Sequence, residues 1–126
     1  IDKVRRWRRS PALRPPPLEL GAPSCTSRDP RYAHLARTYL PRSESLRDTG
    51  ARLRPYWERY IVPALRRGED VLIVAHGNSL RALIALFERL DSEQIYELEV
   101  PRAVPLIYDL DARLVPRRRR WLHALA

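Results

Sequence analysis

The chain has 126 residues, of which 44% are hydrophobic and only four are glycine, so its size fits one domain and its composition excludes wholesale disorder. Its formal net charge is +9, and Lys3 is the only lysine among 24 basic residues. Because the planar guanidinium suits phosphate and carboxylate groups, this charge indicates an anionic partner, either a small phosphorylated molecule or nucleic acid. No uncharged apolar run reaches about 18 residues, so we expect no membrane span, and the single cysteine, Cys25, favours a reducing cytoplasm.

The first part of the chain is rich in arginine and then in proline. Arg8 and Arg9 follow Trp7, and this arginine pair is either solvated surface or a clamp for an anion. Residues 10–42 contain the run Pro15-Pro16-Pro17, and proline both restricts the backbone and removes a hydrogen-bond donor. We therefore expect a long irregular connection over residues 10–42, either a functional loop or a disordered linker.

A helix is predicted next, with Ser43 as its N-cap and Gly68 as its stop. Apolar residues recur at close to helical spacing between these two positions. Pro55 and Pro63 are expected to kink or break the helix locally. The aromatic residues of this stripe are predicted to be core, and they include Tyr56, Trp57 and Tyr60.

The remaining residues predict a strand, two helices and a second strand. The run from Asp70 to Ala75 is continuously apolar after its first residue, which is typical of a strand buried on both faces. The first helix is expected to be capped by Asn78 or Ser79 and to run to about Leu90. The later elements are a short helix from Ser92, a strand from Val104 to Leu110, a turn at residues 111–113 and an extended segment ending near Leu122.

His76 follows the predicted strand and precedes the predicted helix. In open α/β sheets, ligands bind beyond the carboxyl ends of strands, and free N–H groups at a helix start favour phosphate. Gly77 would allow a ligand to approach the backbone closely, and Asn78 adds a side-chain donor. His76 is therefore either a satisfied structural histidine or an acid, base, nucleophile or charge stabiliser.

The other candidate residues predict no second site. Alternation in a terminal strand would expose at least half of the run Arg117 to Arg120, so we interpret it as a solvated edge and expect no nucleic-acid partner. His34 and His123 have no partners at suggestive spacing, and with the single cysteine they form no metal constellation. We expect no metal.

A long series of motifs makes the chain recognisable. It resembles the C-terminal part of the cofactor-dependent phosphoglycerate mutases, which are members of the histidine phosphatase superfamily. The motifs are Trp7-Arg8-Arg9-Ser10, Pro15-Pro16-Pro17, Pro30-Arg31-Tyr32, Leu40-Pro41, Glu44-Ser45-Leu46, Asp48-Thr49, Pro55-Tyr56-Trp57, Gly68, Ala75-His76-Gly77-Asn78-Ser79-Leu80-Arg81-Ala82-Leu83, Pro105-Leu106 and Tyr108.

The resemblance implies an α/β fold with three α/β/α layers, here incomplete because the N-terminal strands are missing. Residues 1–126 would be the C-terminal portion of a single domain, with residues 10–42 as a connection within it. The implied enzyme is a cytoplasmic, homo-oligomeric isomerase of glycolysis and gluconeogenesis. It would interconvert 3-phosphoglycerate and 2-phosphoglycerate through a phosphohistidine, primed by 2,3-bisphosphoglycerate and without a metal.

The resemblance also implies roles for particular residues. His76 matches the second active-site histidine, which stabilises the transferring phosphoryl group. Gly77 and Asn78 match contacts to the substrate, and Arg8 and Arg9 match the pair that grips the anion of a small phosphorylated three-carbon acid. Cations and donors gathered around a developing phosphoryl charge are what such a transfer requires.

The chain departs from the family at the nucleophile. The family's nucleophilic histidine lies in an Arg-His-Gly motif, which is absent here, and its acidic proton donor is also expected before Ile1. The chain begins at Ile1 and contains no methionine, so either its start was processed or it is a fragment. The missing motif favours a fragment, which we expect to be inactive alone because it has no nucleophilic histidine. The alternatives are a broad-specificity phosphatase of the same superfamily and a non-catalytic polyanion-binding fragment.

Overall fold

The computed structural model describes residues 2–122 and contains five α-helices and two β-strands. The helices are α1 (Asp2–Arg9), α2 (Leu46–Tyr56), α3 (Val62–Arg66), α4 (Gly77–Glu88) and α5 (Ser92–Glu97), and the strands are β1 (Leu106–Leu110) and β2 (Pro116–Trp121). Within residues 2–122, no helix combines the length and the apolar character needed to cross a membrane.

Residues 10–42 form an irregular connection, as predicted, broken only by three 3₁₀ turns at Thr26–Arg28, Pro30–Tyr32 and Arg37–Tyr39. The part of the loop from Leu18 to Arg42 is closed, because the Leu18 N–H donates to the Arg42 carbonyl at 3.1 Å and the Arg42 Nε donates back to the Leu18 carbonyl at 2.6 Å. Cys25 is buried inside it. The connection is therefore a folded loop.

Helix α2 begins two residues later than predicted, because Ser45 and not Ser43 is its N-cap. The Ser45 hydroxyl accepts the Asp48 N–H at 3.2 Å, and the Asp48 carboxylate accepts the Ser45 N–H at 2.8 Å. This reciprocal capping box needs a side-chain acceptor three residues after the cap. Ser43 has Leu46 at that position, which cannot reciprocate.

The prolines interrupt this helical region as predicted. Pro55 lies in the last turn of α2, a π-helical turn spans Trp57–Ile61, and Pro63 is the second residue of α3. Gly68 then ends the helix with a left-handed φ of 78°.

The prediction of an aromatic core stripe was largely wrong. Tyr56 and Tyr60 are each more than half exposed, and their rings lie against each other at 4.9 Å. Trp57 is half-buried against Phe87, with ring centroids 5.3 Å apart. The wider π-helical turn changes the angular spacing of residues, so helical periodicity does not keep all three aromatic side chains on the core face.

The hydrophobic core lies where α2, α4 and α5 meet. Its buried residues are Leu46, Ala82 and Ile95, one from each helix, and Leu53, Ala85 and Leu90 pack beside them. This core fixes the position of α4, whose first turn carries the candidate site.

The predicted strand from Asp70 to Ala75 does not form, which corrects the prediction of a strand buried on both faces. Leu72 and Val74 are 85% and 86% exposed, and within residues 2–122 the segment pairs with no strand. An extended apolar segment becomes a sheet strand only when a neighbour completes its hydrogen bonds.

The only sheet of the described residues is the antiparallel hairpin of β1 and β2, in which Leu106 pairs with Trp121. Its turn is held by the Asp111 carboxylate, which accepts the N–H groups of Arg113 and Val115 at 2.9 Å each. The predicted strand, turn and extended segment are thus confirmed. The fold is a mixed helix and sheet arrangement, and the three-layer form stays a prediction.

Candidate functional site

His76 is the N-cap of α4, so the helix begins at Gly77 and neither Asn78 nor Ser79 caps it as predicted. The His76 Nδ1 accepts the Asn78 N–H at 3.3 Å, which is the bond that an asparagine or serine oxygen makes at other helix starts. Because Nδ1 acts as the acceptor, the neutral ring carries its proton on Nε2. The ring is exposed, so this N–H can donate to a bound ligand.

The first turn of α4 offers further donors. Among residues 2–122, the N–H groups of Gly77 and Ser79 have no protein acceptor, and the intrahelical bonds begin with Leu80 donating to the His76 carbonyl at 3.0 Å. A β-carbon added to Gly77 would meet no atom within 4 Å, so the space beside it is open. Free N–H groups at the positive end of a helix dipole favour an anion.

Arg81 was missed by the sequence analysis, although it lies at the centre of this site. It is only 7% exposed, and its guanidinium donates to the Asn78 Oδ1 at 3.1 Å and to the Leu98 carbonyl at 3.2 Å. Because the Asn78 oxygen is engaged, its amide nitrogen remains as the donor for a ligand. The sequence did contain one indication of this role, because Arg81 is the only cationic residue in an otherwise largely apolar helix and lies three residues after Asn78.

Arg9 connects α1 to α5. Its guanidinium donates to the Tyr96 carbonyl at 3.0 Å and to the Glu99 carboxylate at 2.5 Å, and its side chain is only 14% exposed. Arg8 is exposed and pairs with no carboxylate among the described residues. The two predicted clamp residues therefore differ, since one is held in an ion pair and the other is available.

The charges of Arg8 and Arg9 act on Arg81, which contacts Asn78 in the first turn of α4. Burial lowers the pKa of Arg81, and the positive charges of Arg9 and Arg8 lower it further, while Glu99 opposes them. The Arg9 hydrogen bond lowers the pKa of Glu99 in turn. Arg8 and Arg9 thus lie within electrostatic reach of Arg81, which directly contacts Asn78. Arg9 contacts Glu99, and Arg81 contacts the adjacent Leu98 as well as Asn78. The roles of the predicted site residues stay predictions.

The donors of this region suit an anion rather than a metal ion. Within residues 2–122, no group of three or more His, Cys, Asp or Glu side chains lies close enough to hold a metal. His34 is exposed in the loop, and His123 lies outside the described residues.

Comparison with known protein families places most of the chain in a described family. The family described as "Histidine phosphatase superfamily (branch 1)" matches residues 26–113. The match includes α2 to α5 and strand β1, and therefore His76, Gly77, Asn78 and Arg81. Helix α1, which carries Arg8 and Arg9, precedes the matched region.

Proposed function

Because this chain belongs to the histidine phosphatase superfamily (branch 1), we propose that the first turn of α4 forms part of a phosphoryl-transfer site. The intact protein would interconvert 3-phosphoglycerate and 2-phosphoglycerate through a phosphohistidine. The superfamily match supports phosphoryl transfer as a class, and the motifs around His76 and the Arg8–Arg9 pair support the mutase reaction within that class.

The observation that carries this proposal is the set of donors that remain free around His76. The His76 Nε2, the Gly77 N–H and the Asn78 amide nitrogen all carry protons, and the Asn78 oxygen is engaged by Arg81. A phosphoryl group in transfer spreads negative charge over its oxygens, and fixed donors stabilise that charge without reorganising. In this arrangement His76 stabilises the transferring group and is not its nucleophile.

Arg8 is the residue we assign to the substrate's anionic groups, since its guanidinium has no carboxylate partner among residues 2–122. Arg9 could contact the substrate as well only if it released the Glu99 carboxylate. The Glu99 side chain is 71% exposed, so it can turn into solvent when a substrate anion replaces it. Arg9 therefore acts both as a tie between helices and as a second clamp.

The proposed primer, 2,3-bisphosphoglycerate, fits this donor set, because cations and N–H groups suit its phosphates and carboxylate. When bound, it would supply the first phosphoryl group. The 126-residue chain has no Arg-His-Gly, and groups that act as a unit fail together when one is missing. We therefore expect this polypeptide to bind phosphorylated acids without transferring phosphate.

The binding role is tested by calorimetric titration of the chain with 3-phosphoglycerate. Arg8→Gln should weaken binding about tenfold, the value of one charge-assisted contact. Arg6→Gln is the matched control, because Arg6 is also exposed on α1 and forms no ion pair within residues 2–122, and it should change the affinity less than about twofold. Equal effects of the two variants would show that only net charge matters and would refute the assignment.

The catalytic role is tested with the intact protein. A mutase converts 3-phosphoglycerate to its isomer faster than it releases phosphate. The family description names phosphatases, so a broad-specificity phosphatase is the second candidate, and net phosphate release exceeding isomerisation would favour it. A phosphorylated protein formed by the 126-residue chain with 2,3-bisphosphoglycerate would contradict the proposed need for a nucleophile outside this chain.

A further inference from the structure

A second charged region lies at the other end of α4. It is a cleft of about 960 Å³ between the α2–α3 region, the last turn of α4 and the β1–β2 hairpin. Glu88 in this cleft is eleven residues beyond Gly77, which places it about 17 Å along the helix from the His76 site. We call this region the arginine cleft.

The arginine cleft contains much of the chain's positive charge. Seven arginines and two glutamates line it, an excess of five charges in a chain whose formal net charge is +9. Arg119 donates to both Glu88 oxygens at 2.9 and 3.1 Å, and Arg54 lies 4.0 Å from Glu58. The other five arginines have no carboxylate partner among residues 2–122, and they are Arg66, Arg89, Arg113, Arg117 and Arg118.

We propose that the arginine cleft binds a compact, free ligand that carries several phosphate groups. Like charges that converge from three elements repel one another, and a multiply charged anion relieves this repulsion. Guanidinium groups bind phosphate oxygens in pairs, which gives such a ligand several two-point contacts. The cleft volume lies within the range of small-molecule sites, about 300–1,000 Å³.

The aromatic residues of the cleft favour a compact polyphosphate over nucleic acid. Trp57 and Tyr108 both pack on Phe87, with ring centroids 5.3 and 5.2 Å from it, and the Tyr108 hydroxyl donates to Glu88. These rings contact one another, whereas proteins that bind single strands present aromatic faces on which bases stack. The concave shape likewise favours a free ligand over the flat surface of a membrane.

The test is calorimetric titration of the full chain with inorganic tripolyphosphate at low and moderate salt. The double variant Arg89→Gln/Arg117→Gln changes two exposed, unpaired cleft residues and should weaken binding about tenfold or more. Arg37→Gln/Arg102→Gln removes the same charge from exposed positions outside the cleft and should weaken binding less than about threefold.

Equal weakening by the two double variants would overturn the proposal, because binding would then follow net charge alone. Preferential, cleft-dependent binding of a single-stranded oligonucleotide or of phosphoinositide vesicles over tripolyphosphate would also overturn it. If circular dichroism shows that the first double variant is unfolded, Arg66→Gln/Arg113→Gln replaces it with the same expected loss. A loss of tripolyphosphate binding that is larger in Arg8→Gln than in the cleft double variant would place the ligand at the His76 site and would overturn the proposal.

Discussion

Replacing the buried Arg81 with methionine should destabilise the chain and weaken anion binding at His76. Methionine keeps much of the length of the arginine stem but has no donors. The change leaves the Leu98 carbonyl and the Asn78 oxygen without the guanidinium that now contacts each of them. It also frees the Asn78 amide to rotate, so the donor that we assign to substrate is no longer fixed.

The size of the effect follows from opposing contributions. A hydrogen bond from a charged donor contributes about 1.5–3 kcal/mol, and Arg81 makes two. Burying a guanidinium costs several kcal/mol, and the neighbouring charge of Arg9 adds repulsion that the variant removes. We therefore expect a net loss of about 2 kcal/mol in the free energy of unfolding.

Urea denaturation followed by circular dichroism measures this loss. For a slope of about 2 kcal/mol per molar urea, the midpoint should fall by about 1 M. Arg81→Lys should show an intermediate loss, because one ammonium group cannot reproduce both guanidinium contacts. Arg47→Met is the matched control, since Arg47 is exposed on α2 and should be nearly neutral.

A variant Arg81→Met as stable as the parent chain would refute this reasoning. It would mean that the cost of burying the charge equals or exceeds the stabilisation from its hydrogen bonds. Unchanged binding of 3-phosphoglycerate in a folded Arg81→Met chain would refute the assigned positioning of Asn78.

Three further changes test the fold. Ser45→Ala should lower the free energy of unfolding by about 1 kcal/mol in urea denaturation, whereas Ser43→Ala should be neutral, and the reverse order would place the α2 cap at Ser43. The Arg14 guanidinium, followed by the Ser45 N–H and hydroxyl, holds the pKa of Asp48 well below its usual range. The ionised Asp48 carboxylate therefore stabilises the fold above its unfolded pKa of about 3.9, and this stabilisation is lost as pH falls toward the folded pKa. Asp48→Asn should therefore make the free energy of unfolding less dependent on pH on the acid side. An unchanged pH dependence would contradict this linkage. The exposed apolar segment that contains Leu72 should make the chain associate as its concentration rises, and Leu72→Lys should reduce this association in light scattering because it adds a charge there. Unchanged association in the variant would exclude the segment as its cause.

Local signals in the sequence predicted much of the fold. Pro55 and Gly68 act through their own backbone geometry, so the helix interruption and the helix stop could be inferred without knowledge of the rest of the chain. The hairpin was predictable for the same reason, since Asp111 supplies the side-chain acceptor for its own turn.

The predictions that failed concern features that depend on residues distant in the sequence. The segment from Asp70 to Ala75 has the composition of a buried strand, but only a neighbouring strand could make it one. Arg81 looks like a surface residue in the sequence, and its burial depends on Leu98, which lies beyond the end of α4. The position of His76 before the helix was predictable, whereas its use as the cap depended on the rotation of its side chain.

The two reciprocal hydrogen bonds between Leu18 and Arg42 close the loop and separate the hydrogen bonding of residues 19–41 from that of the rest of the chain. Within residues 2–122, every hydrogen bond that residues 19–41 make has its partner within residues 18–42. Doubling the length of such a loop costs only about 0.6 kcal/mol in closure entropy. The segment can therefore be lengthened between these two residues with little effect on α2. This makes it the natural position in this chain for an inserted reporter peptide or a protease cleavage sequence.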